Sequence, residues 1–465
     1  MKSSAPPAAG RVAVLGLAAA LAAAAAPARP AAAATLEVGP GRPHATIGAA
    51  LRAARPGDRI EVAPGAYRED LVIEVEGVEL VGRGEPVVVG SGRGDVVRVV
   101  ADGATVRGFA VRGSGNTMMT SDAGIKVRGA GVTIAGNRLV DNLFGIYLDR
   151  CREALIEDNE ITGRAEVDVG RRGAGIHVYD AHDNVVRGNR VSFVRDGVYF
   201  DHADRNTVED NEFHHLRYGV HYMYCDDNRF FRNLFRDSVA GVAIMYSERV
   251  TFSDNRILDN REGYHAFGLL LKDARDSVAE RNVIVNNGSG IFLDGSHRNR
   301  FAHNLIAYND AGIVLYASSL DNAFAGNDFV GNLTTLRTVG RAAADWSPDG
   351  RGNHYSDYAG YDLDGDGRGD VPYRLQDAFE VLVGNHPLLQ LFLSSASADA
   401  LAAAERSFPL VPSSEQIDRA PAMRPVSGAA AAGGDRPAPR VAAPLAAAWL
   451  AVIAGAAWSV GRGRR

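Results

Sequence analysis

Cysteine is nearly absent: Cys151 and Cys225 are the two thiols in 465 residues. A net basic charge is absent too. The chain carries −6 at neutral pH, which argues against a nucleic-acid binder. The helical Leu spacing that leucine-rich repeats require is missing as well, although the chain repeats with a similar period. A second cluster of acidic residues, which carboxylate chemistry on sugars would need beside Asp196, Asp201, His202 and Asp204, is not found in neighbouring repeats.

What is present is one repeated unit. Asn stands at 137, 159, 189, 211, 233, 255, 282, 304 and 327, mostly 22 residues apart. Gly follows at 145, 175, 197, 219, 241, 268, 290 and 312. The Asn-to-Gly distance is eight residues except in two units, where it is 16 and 13. Insertions at 163–174 and 261–267 account for the difference. Two residues after Asn, and one and three after Gly, the positions are apolar throughout, from Leu139, Ile146 and Leu148 to Ile306, Ile313 and Leu315. Alternation puts these columns inside and the second and fourth residues after Gly outside. A fixed period built of short β-type runs is a solenoid, here an all-β parallel β-helix with one coil per unit.

The rest of the chain adds ends to this solenoid. Residues 1–34, with Lys2, Arg11 and an apolar run from Val12 to Ala26, read as a signal peptide and place the body outside the cytoplasm. Residues 35–340 form the β-helix, with an N-terminal cap over 35–60 and regular coils over 137–332. Thr46 to Ala54 reads as a short capping helix with Thr46 at its N-cap. Residues 341–380 form an Asp-rich C-terminal cap. There, Asp362, Asp364, Asp366 and Asp370 match part of a calcium loop, but Tyr373 occupies the twelfth position, where a bidentate Glu belongs. A calcium site and a solvated turn cluster both fit. Residues 381–440 read as helix followed by a Pro/Ala linker. The apolar stretch at 441–459, followed by Arg462, Arg464 and Arg465, has the length of a transmembrane anchor. Cys151 and Cys225 share an inner column three coils apart, roughly 14 Å at one strand spacing per coil, too far for a disulfide.

The candidate chemistry lies outside the coils. The outer columns place His177, Tyr199 and His221 in one line and Met223 and Met245 in another, with His202, Tyr224 and Tyr246 one residue beyond. His214, His215 and His265 belong to the same stretch of sequence. His221, Met223 and Met245 converge on adjacent strands, and imidazole with thioether suits Cu(I). His177, His202 and His265 are further candidate ligands. The same Tyr, His and Met residues also fit a partner-binding face, led by Tyr199, Tyr224, Tyr246, His214 and His215. The two insertions project from one edge and frame a groove.

Three segments resemble the NosD family of nitrous oxide reductase maturation proteins: TIGAALRAARPGDRIEVAPGAYRE, RDGVYFDHADRNTVEDNEFHHLRYGVHYMYCDDNRF and GNHYSDYAGYDLDGDGRGDVPY. The likeness spans nearly all of residues 35–425, and His221, Tyr222, Met223 and Tyr224 carry its motif. It implies a right-handed β-helix of the carbohydrate-binding and sugar-hydrolase type. It further implies a periplasmic adaptor without enzymatic activity; the apolar tail after residue 440 departs from the family pattern and suggests membrane tethering in addition. The implied partners are the permease and ATPase subunits of an ABC transporter, nitrous oxide reductase and a copper chaperone, with copper or a sulfur species as cargo. A polysaccharide-binding or polysaccharide-modifying β-helix is the alternative.

Overall fold

The computed structural model describes residues 33–263, 266–376 and 416–428, with the single positions 395 and 400. Three parallel sheets of 13, 12 and 13 strands run the length of the body, and each complete coil contributes one strand to each sheet. One coil shows the pattern. Glu212–His214 lies in the third sheet, Tyr218–Met223 in the second and Arg229–Phe231 in the first. Stacking is in register from coil to coil, with Phe213 opposite Phe235, Val220 opposite Val242 and Phe230 opposite Phe252.

The inward columns are buried as their spacing requires, and aromatic ladders stack within the core. Phe213 stacks on Phe235 at 5.3 Å between ring centroids, and Phe301 on Phe324 at 4.7 Å. The glycine column has a different cause. A Cβ on Gly219 would lie 2.5 Å from the Gly241 carbonyl oxygen and 2.6 Å from the Phe235 ring. Only hydrogen fits where strand meets core.

The repeated Asn marks a corner. Asn211 Nδ2 donates to the Val186 carbonyl at 2.9 Å and to Asn233 Oδ1 at 3.0 Å, while Asn211 N–H donates to the same Oδ1 at 3.1 Å. Every polar atom of the buried amide is thereby used within the stack. The residue before Asn turns through the left-handed region, as at Asp210 and Arg232. Further ladders turn other corners, through Asn184, Asn206 and Asn228 and through Asn260, Asn287 and Asn309.

Both ends are closed. A seven-residue helix, Ile47–Ala53, lays Ile47, Ala50 and Leu51 against the first coil. Thr46 Oγ1 accepts from Ala49 N–H at 3.2 Å, and the Glu69 carboxylate accepts from the N–H groups of Ile47 and Gly48. At the other end the final rung, Asn353, donates its backbone N–H to Asp418 at 2.7 Å. Trp346 stacks on Phe324 and donates to Gln416 at 2.7 Å. Residues 416–428 fall inside the stretch the sequence suggests is a linker. They instead return to the solenoid, where Ile417–Asp418 pairs antiparallel with Tyr373–Arg374. Their polar groups find buried partners that composition does not reveal. The signal segment 1–34, apart from its last two residues, and the anchor at 441–459 lie outside the described residues. Among the described residues no helix is long and apolar enough to cross a membrane.

Cys151 and Cys225 are both free and buried. Burial pushes each thiol up to about 12.

Candidate functional site

The outer face of the second sheet carries a continuous ladder. Tyr147 stacks on His177 at 4.4 Å between centroids, His177 meets Tyr199 edge-on at 4.7 Å, and Tyr199 tilts over His221 at 4.6 Å. The Tyr199 ring therefore separates the two imidazoles, and His177 and His221 share no ion. His177 is 8% exposed, enclosed also by Phe144, and neither ring nitrogen has a hydrogen-bond partner. Burial pushes it down to about 3, so the ring is neutral at ordinary pH.

His221 is held from below. Its Nδ1 lies 3.4 Å from Asp196 Oδ2 and 3.2 Å from Arg217 Nη2. Asp196 is completely buried and takes ion pairs from Arg195 at 3.1 Å and Arg217 at 2.8 Å. Burial opposes its charge, but hydrogen bonds from His221 and Arg217 keep its carboxyl below the ordinary range. With Nδ1 turned to this pair, Nε2 is the nitrogen left for a ligand, an arrangement common behind metal-bound histidines. Arg195 and Arg217 were not among the expected site residues. Each stands two before its repeat Gly, a spacing that could have flagged them.

Met223 and Met245 are register partners on adjacent strands, both half-buried. Tyr199 Oη donates to Met223 Sδ at 3.8 Å, which turns that sulfur toward the ladder. His221 and Met223 alternate on one strand face, so His221, Met223 and Met245 share a patch. His202 does not join it. At the turn beyond the strand it bonds to Asp201 at 2.6 Å and stacks on Tyr224, which stacks on Tyr246 at 5.1 Å. Tyr224 is 51% exposed, and these three rings form a separate ridge along that edge. His214 and His215 lie at the opposite edge, before the strand begins, with their Nδ1 atoms 2.8 Å apart and His215 stacked on Phe193. His265 lies outside the described residues.

The carboxylates weighed for sugar chemistry do not converge. Asp196 and Asp201 stand at opposite ends of one six-residue strand, and Asp204 accepts from Asp226 N–H beyond the next turn. Two guanidiniums, Arg195 and Arg217, neutralise Asp196.

The two insertions leave the same corner of the coil, between third-sheet and second-sheet strands. A cavity among the described residues, however, is not between them. It lies over earlier coils, beside the loops 92–94 and 116–122, with Tyr147 and Tyr179 in its lining. Arg164 of the first insertion reaches Asn116 at 2.7 Å and ties that insertion to the cavity rim.

In the Asp-rich cap, Asp362, Asp364 and Asp366 bring carboxylate oxygens within 4.8 Å of one another. Among the described residues no other group of three His, Cys, Asp or Glu does so. Asp370 is outside the group and accepts from Leu363 N–H at 2.7 Å. Backbone N–H groups of Gly365 and Gly367 already occupy Asp362, and Tyr373 Oη turns to Asp357 at 3.0 Å.

Comparison with known proteins bears on this face directly. The family model described as periplasmic copper-binding protein (NosD) matches residues 159–360, which include His177, Tyr199, His221 and both methionines. A model of unknown function, DUF1565, matches residues 37–230. The chain is 42% identical over 393 residues to a Pseudomonas aeruginosa protein named probable ABC transporter binding protein NosD, covering 81% of this chain and 90% of that one. A Stutzerimonas stutzeri protein of the same name is 36% identical, with 79% of this chain and 87% of the relative covered. Among solved structures, a PL6 alginate lyase in complex with a trisaccharide superposes with a TM-score of 0.51 at 14% identity, covering 70% of this chain and 84% of that one. This last likeness is one of fold. Identity of this order across nine-tenths of a relative establishes that the chain belongs to the NosD family.

Proposed function

We propose that this chain is a periplasmic accessory protein of nitrous oxide reductase maturation. In this reading it works with an ABC transporter and handles Cu(I) for the reductase's copper centre. One observation carries the reading: Met223 and Met245 are paired in register beside His221, whose ring is oriented by Asp196 and Arg217. Two thioethers and one imidazole are soft, uncharged donors suited to Cu(I). Cys225, close in sequence, is not part of the set. It is fully buried, and its thiol is hydrogen-bonded to the Met223 carbonyl.

The donor set also suits transfer. The three donors are uncharged, Asp201 in register with Met223 is engaged by His202, and the Arg217 guanidinium stands behind the imidazole, which favours release of a cuprous ion held there. The aromatic ridge of His202, Tyr224 and Tyr246 flanks the patch and gives a partner protein a surface to engage, since exposed stacked aromatics suit interfaces. The periplasmic location follows the family's description and the signal-like residues 1–34.

The test is co-isolation. Full-length protein is expressed with the transporter subunits and the reductase, and the complex is recovered through a tag on this chain. Recovery of the transporter subunits, together with copper-deficient reductase in cells lacking this chain, is the expected result. Fully loaded reductase in those cells rejects the reading.

A further inference from the structure

The cavity over the early coils has a composition the copper reading does not use. Its volume is about 680 Å³, within the roughly 300–1,000 Å³ of pockets that enclose small ligands. Five cations line it against three carboxylates, in a chain whose net charge is −6. Lys126 is one of only three lysines in the sequence.

Pairing within the cavity leaves positive charge uncompensated. Asp95 takes both Lys126 at 2.9 Å and Arg98 at 3.2 Å. Asp149 takes both Arg128 at 2.6 Å and Arg150 at 3.1 Å. Each of these two carboxylates thus serves two cations, and the third, Asp122, accepts instead from Thr117 N–H and the Thr120 hydroxyl. Arg93, at the rim, is exposed and makes no ion pair among the described residues.

The cavity is also rigid where it matters. The side chains of Lys126, Asp95 and Asp149 are each under 10% exposed. Lys126 Nζ donates a second time to the Thr120 carbonyl at 2.9 Å and lies 5.4 Å from the centre of the Tyr147 ring. Arg128 and Arg150 are 51% and 62% exposed yet anchored on the buried Asp149 carboxylate, so two of the three guanidiniums open to an anion are already held in place. Hydroxyl-bearing Thr117, Thr120 and Ser121 share the lining with Tyr179, whose ring is 38% exposed at the rim. Hydroxyls and an open aromatic ring beside excess cations match a hydroxylated ring that bears a carboxylate.

We infer that this cavity binds an acidic saccharide, its carboxylate set against the Arg93, Arg128 and Arg150 guanidiniums and its ring against Tyr179. The site is separate from the methionine patch and does not depend on the copper reading.

Titration calorimetry on the full-length protein tests it, with trigalacturonate, maltotriose and sodium sulfate as probes. Trigalacturonate is expected to bind at least tenfold more tightly than maltotriose or sulfate. Arg128→Gln is expected to weaken it tenfold or more. Arg93→Ala, which breaks no internal contact, is expected to weaken it about threefold with an unchanged melting temperature. Met223→Leu with Met245→Leu is expected to leave trigalacturonate affinity unchanged, which separates this site from the copper patch. Equal affinity for maltotriose, equal affinity for sulfate, no heat with millimolar trigalacturonate, or full affinity in Arg93→Ala overturns the inference.

Discussion

Replacing Asn233 by Ala isolates what one rung of the corner ladder contributes. Asn233 Oδ1 accepts from Asn211 N–H at 3.1 Å, and its Nδ2 donates to the Val208 carbonyl at 2.9 Å. The residue is 1% exposed, so water cannot replace the lost amide. Two buried backbone groups lose their partner, at about 1–3 kcal/mol each. A further loss comes from the Nδ2 bond to Asn255 Oδ1 at 3.0 Å. The substitution is expected to destabilise by about 4 kcal/mol, a large share of the ~5–15 kcal/mol that holds a typical domain. The comparison is Arg190→Ala, which removes a surface pair with Glu212 and is expected to cost under about 1 kcal/mol. Urea unfolding followed by far-ultraviolet circular dichroism reads both. A loss for Asn233→Ala no larger than that for Arg190→Ala would refute the view that the amide stack holds the coils together.

Three further outcomes follow from the same geometry. Cys151 and Cys225, with thiols pushed up to about 12 by burial, should not react with a disulfide reagent at pH 8 in the folded protein, and both should react in denaturant. His177 is held down to about 3 in the fold against an ordinary 6.5, so the neutral ring stabilises fully above pH 6.5. That contribution is lost as pH falls from 6.5 toward 3, and in His177→Phe the acid-side slope of stability should flatten without loss at pH 7. Asp418→Ala removes the acceptor that Asn353 and Tyr355 share at the end of the stack. It should lower the melting temperature and promote association through the opened end, as light scattering would register.

The coils were legible because stacking in register forces the same position inward every turn. Val198, Val220 and Val242 are buried for that one reason, and their spacing displays it. The outward placement of His221, Met223 and Met245 follows from the same alternation. Roles within the site were less legible. Asp196 reads as a candidate catalytic carboxylate, yet Arg195 and Arg217 bury its charge. That fact depends on side chains meeting across coils. The cavity near Lys126 escaped notice because the early coils vary in length, so no column brings Asp95, Lys126 and Asp149 together on paper. The return of residues 416–428 depends on contacts such as that of Trp346 with Gln416, 70 positions apart, and has no local pattern.

Cu(I) titration of the Met223→Leu, Met245→Leu protein against a chromogenic competitor decides whether the methionine patch holds the ion. The substitutions nearly conserve volume on a half-buried outer face, so the solenoid should remain folded. Wild-type protein is expected to hold Cu(I) and the double variant to lose it, with copper-deficient reductase in cells that carry the variant. Undiminished Cu(I) binding together with fully loaded reductase would contradict it.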